Sequence, residues 1–159
     1  MDITDQEIYH GIVCLKIIKQ LEGNGFKDGI TFQSGTSKNS IIIKSSEENF
    51  FGVYIKYTKK NKSPWAFSFH YEHQEEIQIL NELCSEVFVA LVCGYDGVPL
   101  ISYDELKELL DDNFEESERI SITRKPRGNY WLKGRDGVLE KSVTVSDLGS
   151  KLSKRYIKE

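Results

Sequence analysis

Gly52-Val53-Tyr54-Ile55-Lys56-Tyr57-Thr58 is the stretch on which the reading of this chain turns. Val53, Ile55 and Tyr57 alternate with Tyr54, Lys56 and Thr58, the period-2 pattern of a half-buried strand, here set from Gly52 to Lys60. After the turn Asn61-Lys62-Ser63-Pro64, Trp65, Phe67 and Phe69 alternate in the same way. From Glu72 to Glu86 the period changes, with Ile77, Leu80 and Leu83 or Cys84 at helical spacing. Val87 to Cys93 is a continuous, β-branched apolar run of strand length, which predicts a buried strand. Gly94-Tyr95-Asp96-Gly97 marks a turn, so Val98 to Ser102 is expected to return as a hairpin partner.

Upstream, Ile30 to Gly35 and Ser40 to Ser46, the latter built on Ile41-Ile42-Ile43, read as two further strands. The best-marked helix opens the chain. Thr4 and Glu7 form a capping box, Ile3 and Ile8 flank it at the staple positions, and Gly23-Asn24-Gly25 supplies a left-handed stop. Ile8, Ile12, Leu15 and Ile18 set its apolar stripe, widened by Val13, Ile17 and Leu21. Downstream, Ser102 and Glu105 form a second capping box before Leu106, Leu109 and Leu110. Ile120 and Ile122, the turn Pro126-Arg127-Gly128-Asn129 and Tyr130 to Lys133 then read as a hairpin. A turn at Arg135-Asp136-Gly137 follows, and a short last helix with Leu148 and Leu152 is expected from Ser146. The fold class is α/β (α+β): a mixed central sheet with flanking helices in α-β-β-β-α-β order, plus a C-terminal β-hairpin extension. One domain over residues 1–159 is expected.

The order of elements over roughly residues 5 to 102, together with Gly52 to Thr58, resembles the PD-(D/E)XK (restriction-endonuclease-like) core. His73-Gln74-Glu75-Glu76-Ile77 and Val87-Phe88-Val89-Ala90-Leu91 are similar to that family's helix and following strand. The resemblance makes 1–102 a nuclease-like core and 103–159 a helix and basic β extension. It also implies a metal site: two acidic residues on adjacent strands hold a divalent ion, and a lysine two positions after the second helps to activate water. Lys56 matches the lysine. The acidic position falls on Tyr54, and the aspartate position falls near Asn39 or Ser40, neither of which carries a charge at neutral pH. The resemblance therefore implies a degenerate site with no cofactor. Magnesium or manganese, and an active nuclease with Lys56 as its catalytic lysine, would require displaced carboxylates from Glu75 or Glu76, or from Glu47 and Glu48.

Charge adds a second line of inference. The chain carries a formal net charge of −4, but the sign is segregated. Residues 1–71 hold 9 basic and 7 acidic side chains, residues 72–118 hold 14 acids and only Lys107, and residues 119–159 hold 11 basic and 4 acidic. Arg119, Arg124, Lys125, Arg127, Lys133 and Arg135 fall in one acid-free run with Tyr130 and Trp131 interleaved. Basic side chains neutralise phosphates and rings stack on unpaired bases. Lys56, Lys59, Lys60, Lys62, Arg124, Lys125, Arg127 and Trp131 are therefore the candidate nucleic-acid contacts. The competing and preferred expectation for the basic run is docking against the acidic segment 72–118.

Two functions follow as expectations: a non-catalytic nuclease-like domain that binds nucleic acid or a protein, or an acidic protein-binding module of the immunity or inhibitor type acting through 72–118. Cys14, Cys84 and Cys93 are odd in number and widely spaced, which reads as reduced core cysteines rather than a disulfide or zinc framework. His70 and His73 lack a third zinc ligand and read as polar residues at a helix start. No Ser/His/Asp arrangement is present, and Gly23-x-Gly25 follows a helix and lacks the third glycine of a dinucleotide loop. The acidic N-terminus lacks the basic start and apolar run of a secretion signal, and no apolar stretch approaches the ~20 residues of a membrane span, so a cytoplasmic location is expected.

Overall fold

The computed structural model describes residues 1–23, 31–44, 50–111 and 117–144. The Gly23-Asn24-Gly25 stop beyond Gly23, Glu47, Glu48 and the expected last helix from Ser146 lie outside the described residues. The elements run α1 (Asp5–Gly23), β1 (Thr31–Ser34), β2 (Ser40–Lys44), β3 (Phe50–Thr58), β4 (Trp65–His70), α2 (Tyr71–Leu83), β5 (Glu86–Cys93), β6 (Leu100–Ser102), α3 (Tyr103–Leu109), β7 (Ser117–Arg124) and β8 (Tyr130–Gly134). The expected order of helices and strands is present, with ends displaced by one to a few residues.

β1, β2, β3, β5 and β6 form one sheet in that spatial order. β3 and β5 are parallel, from Phe51 opposite Glu86 to Thr58 opposite Cys93, and the other pairs are antiparallel. The crossover from β3 to β5 runs through β4 and α2. The sheet is covered on both faces, which is why β5 is apolar at every position from Val87 to Cys93. On one face, α1 packs against Ile43, Phe51, Val53, Ile55, Phe88, Ala90 and Leu100. On the other, α2, α3 and a second sheet pack against Ile42, Tyr54, Val87, Val89 and Leu91.

Four expectations change. β3 is not a half-buried strand, because Tyr54 is fully buried between the layers. β4 does not extend the central sheet. It pairs antiparallel with β7, and β7 with β8, so the aromatic strand and the C-terminal hairpin form one three-stranded sheet. Trp65, Phe67 and Phe69 point inward from β4, beside Ile120 and Ile122 of β7 and Tyr130 and Leu132 of β8. The helix over Glu72–Glu86 stops at Leu83, and Glu86 already pairs with Phe51 in the sheet. On α1 the buried row is Tyr9, Val13, Ile17 and Leu21, while Ile8, Leu15 and Ile18 are exposed. The reason is steric fit: Tyr9 stacks on Tyr57 of β3 at 4.7 Å between ring centroids, which fixes the face that α1 presents. The capping boxes are formed as expected, with the Glu7 amide donating to Thr4 Oγ1 and the Glu105 amide to Ser102 Oγ.

Among the described residues no helix is long and apolar enough to cross a membrane. Cys14, Cys84 and Cys93 are free thiols, the last two buried.

Candidate functional site

Tyr54 and Lys56 are two apart on β3, so both side chains leave the sheet on the face covered by α2 and β4. There they meet the first turns of α2. Tyr54 Oη donates to Glu76 Oε1 at 2.8 Å. Asn39, in the turn before β2, donates its amide Nδ2 to the same Tyr54 oxygen at 3.4 Å. Its Oδ1 accepts from Gln6 Nε2 of α1 at 3.3 Å. A chain of polar contacts, Gln6 to Asn39 to Tyr54 to Glu76, thus crosses from α1 to α2 past the end of β2. Burial, and then the hydrogen bond to Glu76, push the Tyr54 hydroxyl above its ordinary range, so it remains a neutral donor.

Lys56 lies beside this chain. Its Nζ donates to the Ser68 carbonyl of β4 at 2.7 Å, lies 3.1 Å from His73 Nδ1, and sits 5.1 Å from the centre of the Phe69 ring. Burial holds the ammonium down to about 8, against a smaller opposing pull from the Glu76 carboxylate. His73 Nδ1 also accepts from the His70 amide at 3.2 Å, so this nitrogen carries no proton. Burial, then the Lys56 and His70 charges, hold His73 below the usual imidazole range. The two histidines, 5.2 Å apart between ring centres, are thus partly helix-start residues, but His73 also faces Lys56. Glu75 points to solvent on the outer side of α2, away from this cluster, whereas Glu76 is within it. Ser40, opposite Tyr54 in the β2–β3 register, is buried, and its hydroxyl donates to the Ser37 carbonyl at 3.2 Å.

No family model matches the sequence, and no curated protein matches it. A solved structure does. The chain is similar in fold to Hjc, a Holliday junction resolvase from the archaeal hyperthermophile Archaeoglobus fulgidus, with a TM-score of 0.50 and 12% identity. The match covers 79% of this chain and 90% of the resolvase chain. The fold is restriction-endonuclease-like.

Asn39 and Tyr54, which the sequence resemblance set at or near the two strand-acid positions with Ser40 as the alternative to Asn39, are in contact with each other. Lys56 and Glu76 retain ionisable groups at the same point. The expected candidates divided in an informative way. Lys56 is half-buried, its ammonium held by the Ser68 carbonyl and facing His73, and is not a free lysine on the strand's polar face. Lys59 is exposed and paired with Asp5 of α1. Lys60 donates to the Pro64 carbonyl at 2.7 Å, and Lys62 is exposed beside it. Arg124 Nη1 meets Asp96 Oδ2 at 2.7 Å and the guanidinium lies 5.0 Å from the Tyr130 ring centre. That ion pair is one contact of the expected kind between the basic run and the acidic segment. Lys125, Arg127, Trp131 and Lys133 are exposed instead.

The structure gathers some of these side chains at one end of the molecule. The Arg124 amide donates to Ser63 Oγ at 3.0 Å, which ties the β3–β4 turn, with Lys60 and Lys62, to the β7–β8 turn, with Lys125 and Arg127. The Tyr95 amide donates to Asn61 Oδ1 at 2.8 Å, bringing the β5–β6 turn to the same place. Tyr95, in the β5–β6 turn, is 79% exposed and Trp131, just after the β7–β8 turn, is 50% exposed, so two of these turns carry or adjoin an open ring. Tyr95 was not a candidate in the sequence; its only signal was a turn position, and its neighbours there come from residues far along the chain. The exposed acids of segment 72–118, among them Glu72, Glu75, Glu82, Asp104 and Glu108, are distributed over α2 and α3.

Proposed function

We propose that this chain is a nucleic-acid-binding domain built on a nuclease fold, and that its Tyr54–Lys56–Glu76 cluster does not cleave the strand it binds. One observation carries the reading: the Tyr54 hydroxyl lies between Asn39 and Glu76 and bonds to both, at a position that the family resemblance would give to a carboxylate. A hard divalent cation needs several anionic oxygens. The donor set here is one carboxylate already accepting from a phenol, one carboxamide whose N–H faces that phenol, and an ammonium. Such a set does not fit the ion.

Nucleic acid is the preferred ligand because the shared fold is that of a DNA-junction enzyme and because Lys60, Lys62, Lys125 and Arg127 share one end with Tyr95 and Trp131. Phosphate contacts would supply affinity and the rings would favour distorted or unpaired segments. The test uses fluorescently labelled duplex, single-stranded and four-way-junction DNA, titrated at several salt concentrations, with a parallel cleavage assay in magnesium and in manganese. The reading predicts salt-sensitive binding and uncut DNA. Absence of binding to every probe at low salt refutes the ligand, and metal-dependent cleavage lost in Lys56→Ala refutes the inactive site.

A further inference from the structure

Asp111, Glu118 and Asp136 come from three separate places in the fold, and one carboxylate oxygen of each falls within 4.8 Å of the other two. Asp111 follows α3, Glu118 opens β7 and Asp136 sits in the turn after β8. Glu118 is 1% exposed, and neither of its carboxylate oxygens has a hydrogen-bond partner. It stands opposite Phe69 on the inward face of the second sheet. A carboxylate taken out of water without donors is costly, so it must take up either a proton or a cation.

The surrounding backbone holds the three acids in place. The Asp136 amide donates to the Leu109 carbonyl at 3.0 Å, and the Asp111 amide donates to Asp136 Oδ2 at 3.0 Å. Gly134 and Gly137 permit this close approach: a Cβ at Gly134 would lie 2.2 Å from the Leu109 carbonyl oxygen, and one at Gly137 would lie 2.1 Å from that of Glu108. Any other residue there would lift the turn off α3 and open the cluster. The Asp136 carboxylate and the charge of Arg135 both reach Glu118, but no N–H or hydroxyl donor meets either Glu118 oxygen.

We propose that Asp111, Glu118 and Asp136 form a binding site for a hard divalent cation, calcium, magnesium or manganese, that clamps α3, β7 and the turn after β8 together. Oxygen atoms about 2.1–2.4 Å from such an ion lie at most ~4.8 Å from one another, the limit that these three meet. Three carboxylates, one of them buried, suit an oxygen-seeking ion better than a thiophilic one. The site shares no residue with the Lys56 cluster and does not depend on what the domain binds.

The test is isothermal titration of chelator-treated protein with CaCl2, MgCl2 and MnCl2 at pH 7.5, paired with thermal melting in each cation and in chelator. The expected result is saturable binding of one ion per chain and a rise in Tm of about 3 °C or more. Glu118→Gln and Asp136→Asn should each weaken binding at least ten-fold. Asp111→Asn, an exposed position, keeps the test decisive should either of the others fail to fold. Identical melting in chelator and in every cation, with no saturable heat, overturns the site and leaves a proton shared between Glu118 and Asp136 as the account. Binding of unchanged affinity in all three variants overturns it as well.

Discussion

At the scale of single residues, Lys56 and Tyr54 make opposite predictions for stability. Lys56 is held down to about 8 by burial, below the 10.5 of an exposed lysine. Between those values the folded chain binds fewer protons than the unfolded one, so stability should climb as pH rises from 8 toward 10.5; below pH 8 the full cost is present. Lys56→Met should therefore stabilise the chain by about 1–2 kcal/mol at pH 7, a figure reduced for the partial solvent exposure of the group. Urea unfolding at pH 7 and pH 9.5 checks both parts, because the variant should also lose the gain at high pH. Tyr54→Phe should cost about 1–2 kcal/mol, since it leaves Glu76 without its donor. That Tyr54, Lys56 and one of Glu75 and Glu76 would be neighbours was legible in the sequence, and the structure brings Glu76 to them. His73 and Ser68 as partners of Lys56 were not legible there. Their approach depends on β4 leaving the central sheet, which no local pattern in Trp65–His70 encodes.

Individual elements show where periodicity suffices and where it fails. Both capping boxes and the buried strand Glu86–Cys93 follow from local sequence, because their chemistry involves near neighbours. The face of α1 does not follow, since Ile8, Ile12, Leu15 and Ile18 compete with Tyr9, Val13, Ile17 and Leu21 at almost the same spacing. Packing against Tyr57 and Phe51 decides between them. Ile17→Ala should thus cost about 2–4 kcal/mol in chemical unfolding, whereas Leu15→Ala should stay within about 0.5 kcal/mol. The β7–β8 turn offers the complementary case. Lys125→Glu combined with Arg127→Glu should leave the melting temperature unchanged and weaken DNA binding at least ten-fold in anisotropy titrations. It should also flatten the slope of log K against log salt by about 2, one unit for each phosphate contact removed. A change in melting temperature without a change in slope would place these cations in the fold rather than at the ligand.

Over the whole molecule, the charge segregation visible in the sequence divides in three dimensions. Among the described residues, most exposed acids of 72–118 lie on α2 and α3, Asp96 is drawn to Arg124, and Asp111 and Glu118 meet Asp136. The cations of the β3–β4 and β7–β8 turns collect at one end with Tyr95 and Trp131. Sequence composition predicted a field whose sign varies, but it could not assign its poles, because the hydrogen bond joining Ser63 to Arg124 spans two turns far apart in the chain. The proposed function is nucleic-acid binding on a nuclease fold that leaves the strand uncut. Its most direct test is one incubation of the purified chain with end-labelled four-way-junction DNA and manganese, divided between a native and a denaturing gel. The account predicts a retarded complex on the first and full-length strands on the second. Shortened strands that disappear with Lys56→Ala, or a junction that migrates free at every protein concentration, would contradict it.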